Sequence, residues 1–133
     1  MKKDIHVPKV EGIGVAIIKD IEEGDEIWNV YLINYKEEPI NNVLISSKGY
    51  GTLNQKKVNT STLRHFFDVI KGQSYQLIEP ISEDVFGLSN EYFVTFYIDN
   101  IIYDKKFVFV PDTIKDDHCT KVRIIQKDGV LIK

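Results

Sequence analysis

The residues best able to do chemistry lie between positions 46 and 79: Ser46, Ser47, Lys48, Tyr50, Thr60, Ser61, Arg64, His65 and Glu79. Lys48 and Arg64 are cations able to hold a carboxylate or phosphate, Arg64 as a planar fork and Lys48 as a point charge, with neighbouring hydroxyls completing the shell. Lys48, Arg64, His65 and Glu79 are therefore the candidate ligand-binding residues, placed at one end of a sheet. The competing reading is a solvated sheet face with a cross-strand ion pair to Glu79, because exposed pairs are common and weak.

Other constellations carry less. Ser46 or Ser47 with His65 and Asp68 supplies the residue types of a nucleophile relay, in which His deprotonates a hydroxyl and a carboxylate orients the His. No Gly-x-Ser-x-Gly elbow accompanies them. The segment SSKGYG has neither the residue order nor the strand-to-helix setting of a phosphate loop. Asp116-Asp117-His118-Cys119 gathers four metal-ligand types, and His6 and His65 would have to join them from a distance. Adjacent residues rarely hold one ion together, so a solvated loop is the simpler reading and no metal or other cofactor is expected. The acidic run Asp20 to Glu26 around Gly24 lacks the spacing of a calcium loop and reads as a solvated hairpin tip. No catalytic residue is assigned.

The elements that must position these groups are strands. Nineteen Ile, thirteen Val, seven Phe and seven Tyr stand against one Ala and one Met. Branched and aromatic side chains suit a pleated surface. Alternation marks strands over 12–19, 27–35, 40–47 and 74–79. Lys48 to Lys57 reads as a glycine-containing loop, and 60–67 fits a strand, although Leu63, Phe66, Phe67 and Ile70 also fit a helical stripe. Ser82 to Gly87 offers an N-cap, two acids and a stopping glycine, enough for one short helical turn.

The strongest local signal is the pair of runs 91–98 and 101–110 around Asp99-Asn100, a dipeptide tolerant of the positive φ a two-residue turn needs. That turn sets Ile98 against Ile101, Phe96 against Tyr103 and Val94 against Lys105. Tyr92, Val94, Phe96, Ile98, Ile101, Tyr103, Phe107 and Phe109 should then line the core. A last hairpin is expected from 121–125 and 130–132 about Asp128-Gly129. The whole chain, 1–133, reads as one domain: an all-β, immunoglobulin-like antiparallel sandwich of about seven to nine strands with at most one or two short helical turns.

The string WNVYLINYKEEPINNVLISSKGYG, from Trp28 to Gly51, resembles a pattern of immunoglobulin-like and fibronectin-like sandwiches. Together with TSTLRHFF, IEPI, NEYFVTFYID and IYDKKFVFVP it is similar, over most of the chain, to a small uncharacterised family of Bacteroidetes proteins. Some members of that family are labelled phenylalanyl-tRNA synthetase subunits. Such a label implies an ATP and amino-acid site on a large mixed sheet with helices. This chain has only Arg64 and Arg123 as arginines and no glycine-rich adenylate-binding segment. The resemblance therefore brings no functional residue across.

The net charge of −3 and pI near 5.6 argue against an extended phosphate-binding surface, so no nucleic-acid partner is expected. No apolar run has the length of a spanning helix, and Met1 to His6 lacks the apolar segment of a secretory signal, so neither a membrane nor an exported setting is expected. Cys119 is alone, which agrees with a reducing, cytoplasmic setting. The leading expectation is a non-enzymatic protein-interaction domain, forming a homodimer or engaging a protein partner through an edge strand or an exposed sheet face. The alternative is a small-ligand binding protein, for an anion or metabolite, or a minor enzyme, using the polar site at one sheet end.

Overall fold

The computed structural model describes residues 10–133. Among the described residues ten strands form two antiparallel sheets: β1 (Ile13–Glu22), β2 (Asp25–Asn34), β3 (Ile40–Leu53), β4 (Lys56–Asn59), β5 (Leu63–Ile70), β6 (Ser74–Pro80), β7 (Ser89–Ile98), β8 (Ile101–Phe109), β9 (Thr120–Val122) and β10 (Lys127–Ile132). The first sheet runs β6-β2-β1-β10-β9 and the second β4-β3-β7-β8, with β5 also on β3. Strand β3 is long enough to pair with β5 through residues 40–47 and with β4 through Tyr50–Leu53, so those two strands share one edge. Two short 3-10 turns, Glu83–Val85 and Asp116–His118, are the only helical elements among the described residues.

The sandwich expected from the sequence is present, with one strand more than the upper expectation. The segment read as a loop, Lys48 to Lys57, instead continues β3 to Leu53 and opens β4. Its turn falls at Asn54-Gln55, both at positive φ. Residues 63–70 are strand, which resolves the helical stripe in favour of the branched and aromatic propensities. Residues Asp128 and Gly129 lie within β10, opposite Lys121 and Thr120, and the turn sits earlier, at 123–126. The β7–β8 hairpin has the expected register, with Asp99 and Asn100 at φ 50° and 65°. Its inner row is buried from Tyr92 to Phe96 and from Phe107 to Phe109; Ile98 and Tyr103 are half-buried, and Ile101, at the tip, is exposed.

Two cores follow from the central position of β1 and β2. Ile13, Val15, Ile17, Trp28, Val30 and Leu32 meet Val43, Ile45, Val94, Phe96, Phe107 and Phe109 between the sheets. On the other side of the first sheet Ala16, Ile18, Tyr31 and Ile33 are covered by Val122 and Ile125. Each such side chain contributes about 1.5–3 kcal/mol of burial. The sequence alternation in β2 therefore separates two buried faces.

Asp20 lies on that second buried face, not in a solvated hairpin tip, because β1 runs on to Glu22 and the turn tightens to Glu23-Gly24. Its carboxylate accepts from Asn29 Nδ2 at 2.8 Å, Tyr31 OH at 2.5 Å and Lys127 Nζ at 2.8 Å. Burial alone would push Asp20 up, but the bonds donated by Asn29, Lys127 and Tyr31 outweigh it and hold the carboxyl below its usual value. A depressed folded-state value means that its stabilisation is present above the unfolded value of about 3.9 and is lost as pH falls through the lower folded value. Asp20→Asn is expected to cost about 1–3 kcal/mol near neutrality, with the deficit shrinking in acid. Urea midpoints of the two proteins at about pH 7 and about pH 3 measure this. A deficit that stays constant over that range would contradict the assignment.

Candidate functional site

At one end of the sandwich the inner row of β3 changes from apolar Val43 and Ile45 to Ser47 and Gly49, and four strands bring polar groups together there. Glu79 is the centre. It comes from β6, where the register against β2 slips between Val30 and Tyr31: Glu79 faces Val30 while Leu77 faces Tyr31, leaving Ile78 as an extra residue. A bulge of this kind re-aims side chains. Here Ile78 packs in the inter-sheet core, and Glu79 in the next position reaches the opposite sheet.

The Glu79 side chain is only 10% exposed. Ser47 Oγ lies 3.1 Å from Oε1 and 3.0 Å from Oε2. Tyr92 OH donates to Oε2 at 3.0 Å, and His65 Nε2 stands 2.7 Å from Oε1. Ser47, His65 and Tyr92 come from β3, β5 and β7, so one carboxylate from the first sheet is tied to three strands of the second. Burial, and then the Glu79 charge, push the Tyr92 phenol far above its usual range, so it keeps the proton that it donates to Glu79.

A cavity of about 240 Å³ opens beside this cluster. Ser47, Glu79 and Tyr92 supply its polar wall, Leu63, Ile81 and Val85 its apolar one, and Ser61 and Ser82 its rim. The 59–62 segment is held in place by Thr60, whose N–H donates to Gly49 O at 2.9 Å while its Oγ1 accepts from Gly49 N–H at 2.8 Å.

Of the four candidate residues, the structure brings His65 and Glu79 together and separates the other two. Arg64 faces Ser46 on the exposed side of the second sheet, opposite to the side on which His65 reaches Glu79. Lys48 borders the cavity, but its Nζ lies 5.9 Å over the Tyr50 ring. The four residues do not converge on one pocket: period-two alternation turns Lys48 and Arg64 to the outer side of the sheet, away from Glu79. Tyr92, a core residue by its alternation in β7, also completes the cluster with its hydroxyl. Asp68 also lies on the exposed side, and His65 bonds Glu79, so the Ser-His-Asp arrangement does not assemble.

No metal-binding group of three or more His, Cys, Asp or Glu occurs among the described residues. Asp116 is engaged by Lys19 at 3.0 Å and His118 Nδ1 by Thr113 O at 2.9 Å. Burial, then Asp116 and Asp128, push the Cys119 thiol up, so it is a poor nucleophile. His6 lies outside the described residues.

No family model, curated protein or solved structure matches this chain. Its surface then carries the remaining information. The outer side of the first sheet is covered over β1 and β2 by the 122–125 segment, while Tyr75 (48% exposed) and Leu77 (43%) on the edge strand β6 stay open. The outer side of β5-β3-β7-β8 has no such cover among the described residues, and Phe66 (60% exposed), Leu44 (44%), Phe93 (36%) and Ile102 (50%) lie along it. Leu44 faces both Phe66 and Thr95, and Ser46 faces Phe93, so the apolar residues span adjoining strands. No helix among the described residues is long and apolar enough to cross a membrane.

Proposed function

We propose that the chain is a protein-interaction domain of immunoglobulin-like topology whose contact surface is the bare face of the second sheet, and that a second copy of the chain occupies it. The observation that carries this reading is the run of exposed apolar side chains across adjoining strands of that face, Phe66, Leu44, Phe93 and Ile102, whereas on the outer side of the first sheet the exposed apolar residues Tyr75 and Leu77 are confined to the edge strand β6, beside the part covered by Val122 and Ile125. Contiguous exposed apolar residues rimmed by charge mark contact surfaces. The topology is supported by strand order, since β6-β2-β1 against β3-β7-β8 follows the E-B-A against C-F-G arrangement of such sandwiches. A cytoplasmic setting fits the lone Cys119.

The face is favoured over an edge because every edge is blunted. Strand β8 turns Lys105 to its inner side, β6 carries a bulge and ends on Pro80, β9 has three residues, and the β4/β5 edge is broken between Asn59 and Leu63. Inward charges, bulges, prolines and short strands discourage pairing with another chain.

A second copy is favoured because the surface is self-complementary. On β5 the exposed side reads Arg64, Phe66, Asp68, with opposite charges on either side of an aromatic ring. A two-fold axis crossing the strands near Phe66 sets each ring against its mate and each Arg64 against the other copy's Asp68. Light scattering over a concentration series should show a reversible dimer. Arg64→Glu sets acid against acid twice and should weaken it about tenfold or more. Adding Asp68→Arg to that variant restores the opposite charges and should restore the dimer. A monomer at all concentrations, or a double variant as weak as the single one, would sink the reading.

A further inference from the structure

We propose that the cavity beside Glu79 is a binding site for a small organic ammonium compound with a branched apolar body. This site is independent of the dimer surface, because Glu79 reaches it from the inner side of the sandwich while Arg64, Phe66 and Asp68 point outward.

The acceptor capacity of Glu79 supports the charge class. An ionised carboxylate offers about four lone-pair positions. Ser47 lies within reach of both oxygens but has one hydrogen to give, so Ser47, His65 and Tyr92 together fill three positions. One acceptor position remains on a group that lines the cavity. His65 is the one basic side chain that reaches Glu79 among the described residues; it comes from β5 and is not part of the cavity wall. Lys48 and Arg64, the cations nearest in sequence to this end of the sheet, are turned away. A donor arriving through the cavity therefore meets a carboxylate that is nearly buried, still has room for a hydrogen bond, and has no lysine or arginine paired with it among the described residues. A charged N–H donor makes the stronger bond there.

The remaining wall supports the body of the ligand. Leu63, Ile81 and Val85 give an apolar surface opposite the polar corner, and Ser61 and Ser82 stand at the rim. The cavity, about 240 Å³, lies just below the usual range for drug-sized ligands, which selects a compact molecule. A site built in this way discriminates strongly against an isosteric anion, which would place like charges together.

The test uses isoamylamine, with isovalerate as its anionic counterpart and isoamyl alcohol as its neutral one. Amide proton–nitrogen NMR spectra of the full chain are followed during titration. The amine should give saturable shifts at Gly49, Ser61, Ile81 and Tyr92 with millimolar affinity, and isovalerate should give none. Glu79→Gln should weaken the amine about tenfold or more. Ser61→Trp fills the rim from an exposed position with the Glu79 cluster intact, and should abolish the same shifts. The proposal is overturned if the amine gives no saturable shift, if the alcohol or isovalerate binds as well as the amine, or if Ser61→Trp leaves the titration unchanged. Arg64→Glu, which weakens the proposed dimer, should leave it unchanged, so failure of one proposal is distinguishable from failure of the other.

Discussion

Gly72→Ala should cost about 3 kcal/mol or more, seen as a lowered urea midpoint at unchanged slope. A Cβ at Gly72 would overlap Glu37 O and lie 2.5 Å from Glu37 C and 2.8 Å from Lys36 O. These are backbone atoms, which cannot rotate aside as a side chain would. The segment that carries the chain from β5 back to β6 is therefore pressed directly on the one that carries it from β2 to β3. Gln73 N–H donates to Lys36 O at 2.9 Å across the same contact. Asn34, fully buried, joins the two with its Nδ2 between Glu38 O at 2.9 Å, Lys71 O at 3.1 Å and Ile70 O at 3.3 Å. A control separates this steric effect from ordinary glycine loss. Gly24 sits at φ 87° with nothing near its missing Cβ, so Gly24→Ala should cost only about 1 kcal/mol, from backbone strain. Equal costs at the two glycines would contradict the close approach.

Glu79→Ala should cost about 3 kcal/mol, more than any single loss among its partners. Removing the carboxylate leaves the Ser47 and Tyr92 hydroxyls, which are 4% and 2% exposed as residues, without their acceptor. Tyr92→Phe removes one donor and leaves Glu79 with Ser47 and His65, so it should cost about 1 kcal/mol. Because the partners share one acceptor, Ser47→Ala combined with Tyr92→Phe should deviate from the sum of the singles by about 0.5 kcal/mol or more. Thermal or urea unfolding of the parent and the four variants settles it. Additive losses, or a Glu79→Ala loss no larger than that of Tyr92→Phe, would mean that the cluster does not act as a unit.

Local signals were legible and long-range ones were not. The β7–β8 hairpin could be read to the residue because Asp99-Asn100 fixes a two-residue turn and the register follows from it. Ser82 was legible as a cap, and its Oγ accepts from Asp84 N–H at 3.1 Å. The grouping of Arg64 with His65 failed for a reason also present in the sequence: neighbours in a strand point to opposite faces. The ambiguity between helix and strand over 60–71 concealed that consequence. Glu79 was singled out, but its direction depends on the bulge at Ile78, and a bulge leaves no local mark when the flanking residues read as an ordinary strand. Asp20 looked like part of an acidic turn because its partners, Asn29, Tyr31 and Lys127, lie on two other strands. Tyr92 was legible as inward-facing but not as a donor, since that requires the β3–β7 register that sets it against Ser47.

The insertion of β10 between β1 and β9 has a consequence for the order in which the molecule is made. Val15 is in register with Ile132 and Ile18 with Gly129, so one side of β1 finds its partner only about a hundred residues later. At roughly 5–20 residues per second, a ribosome would leave that strand half-paired for several seconds or longer. Its Ala16 and Ile18 side would be uncovered for nearly as long, because Val122 and Ile125 emerge only shortly before β10. Nascent chains stalled before residue 120 should therefore bind chaperones that recognise unpaired apolar strands, and release from them should coincide with emergence of the β9–β10 hairpin.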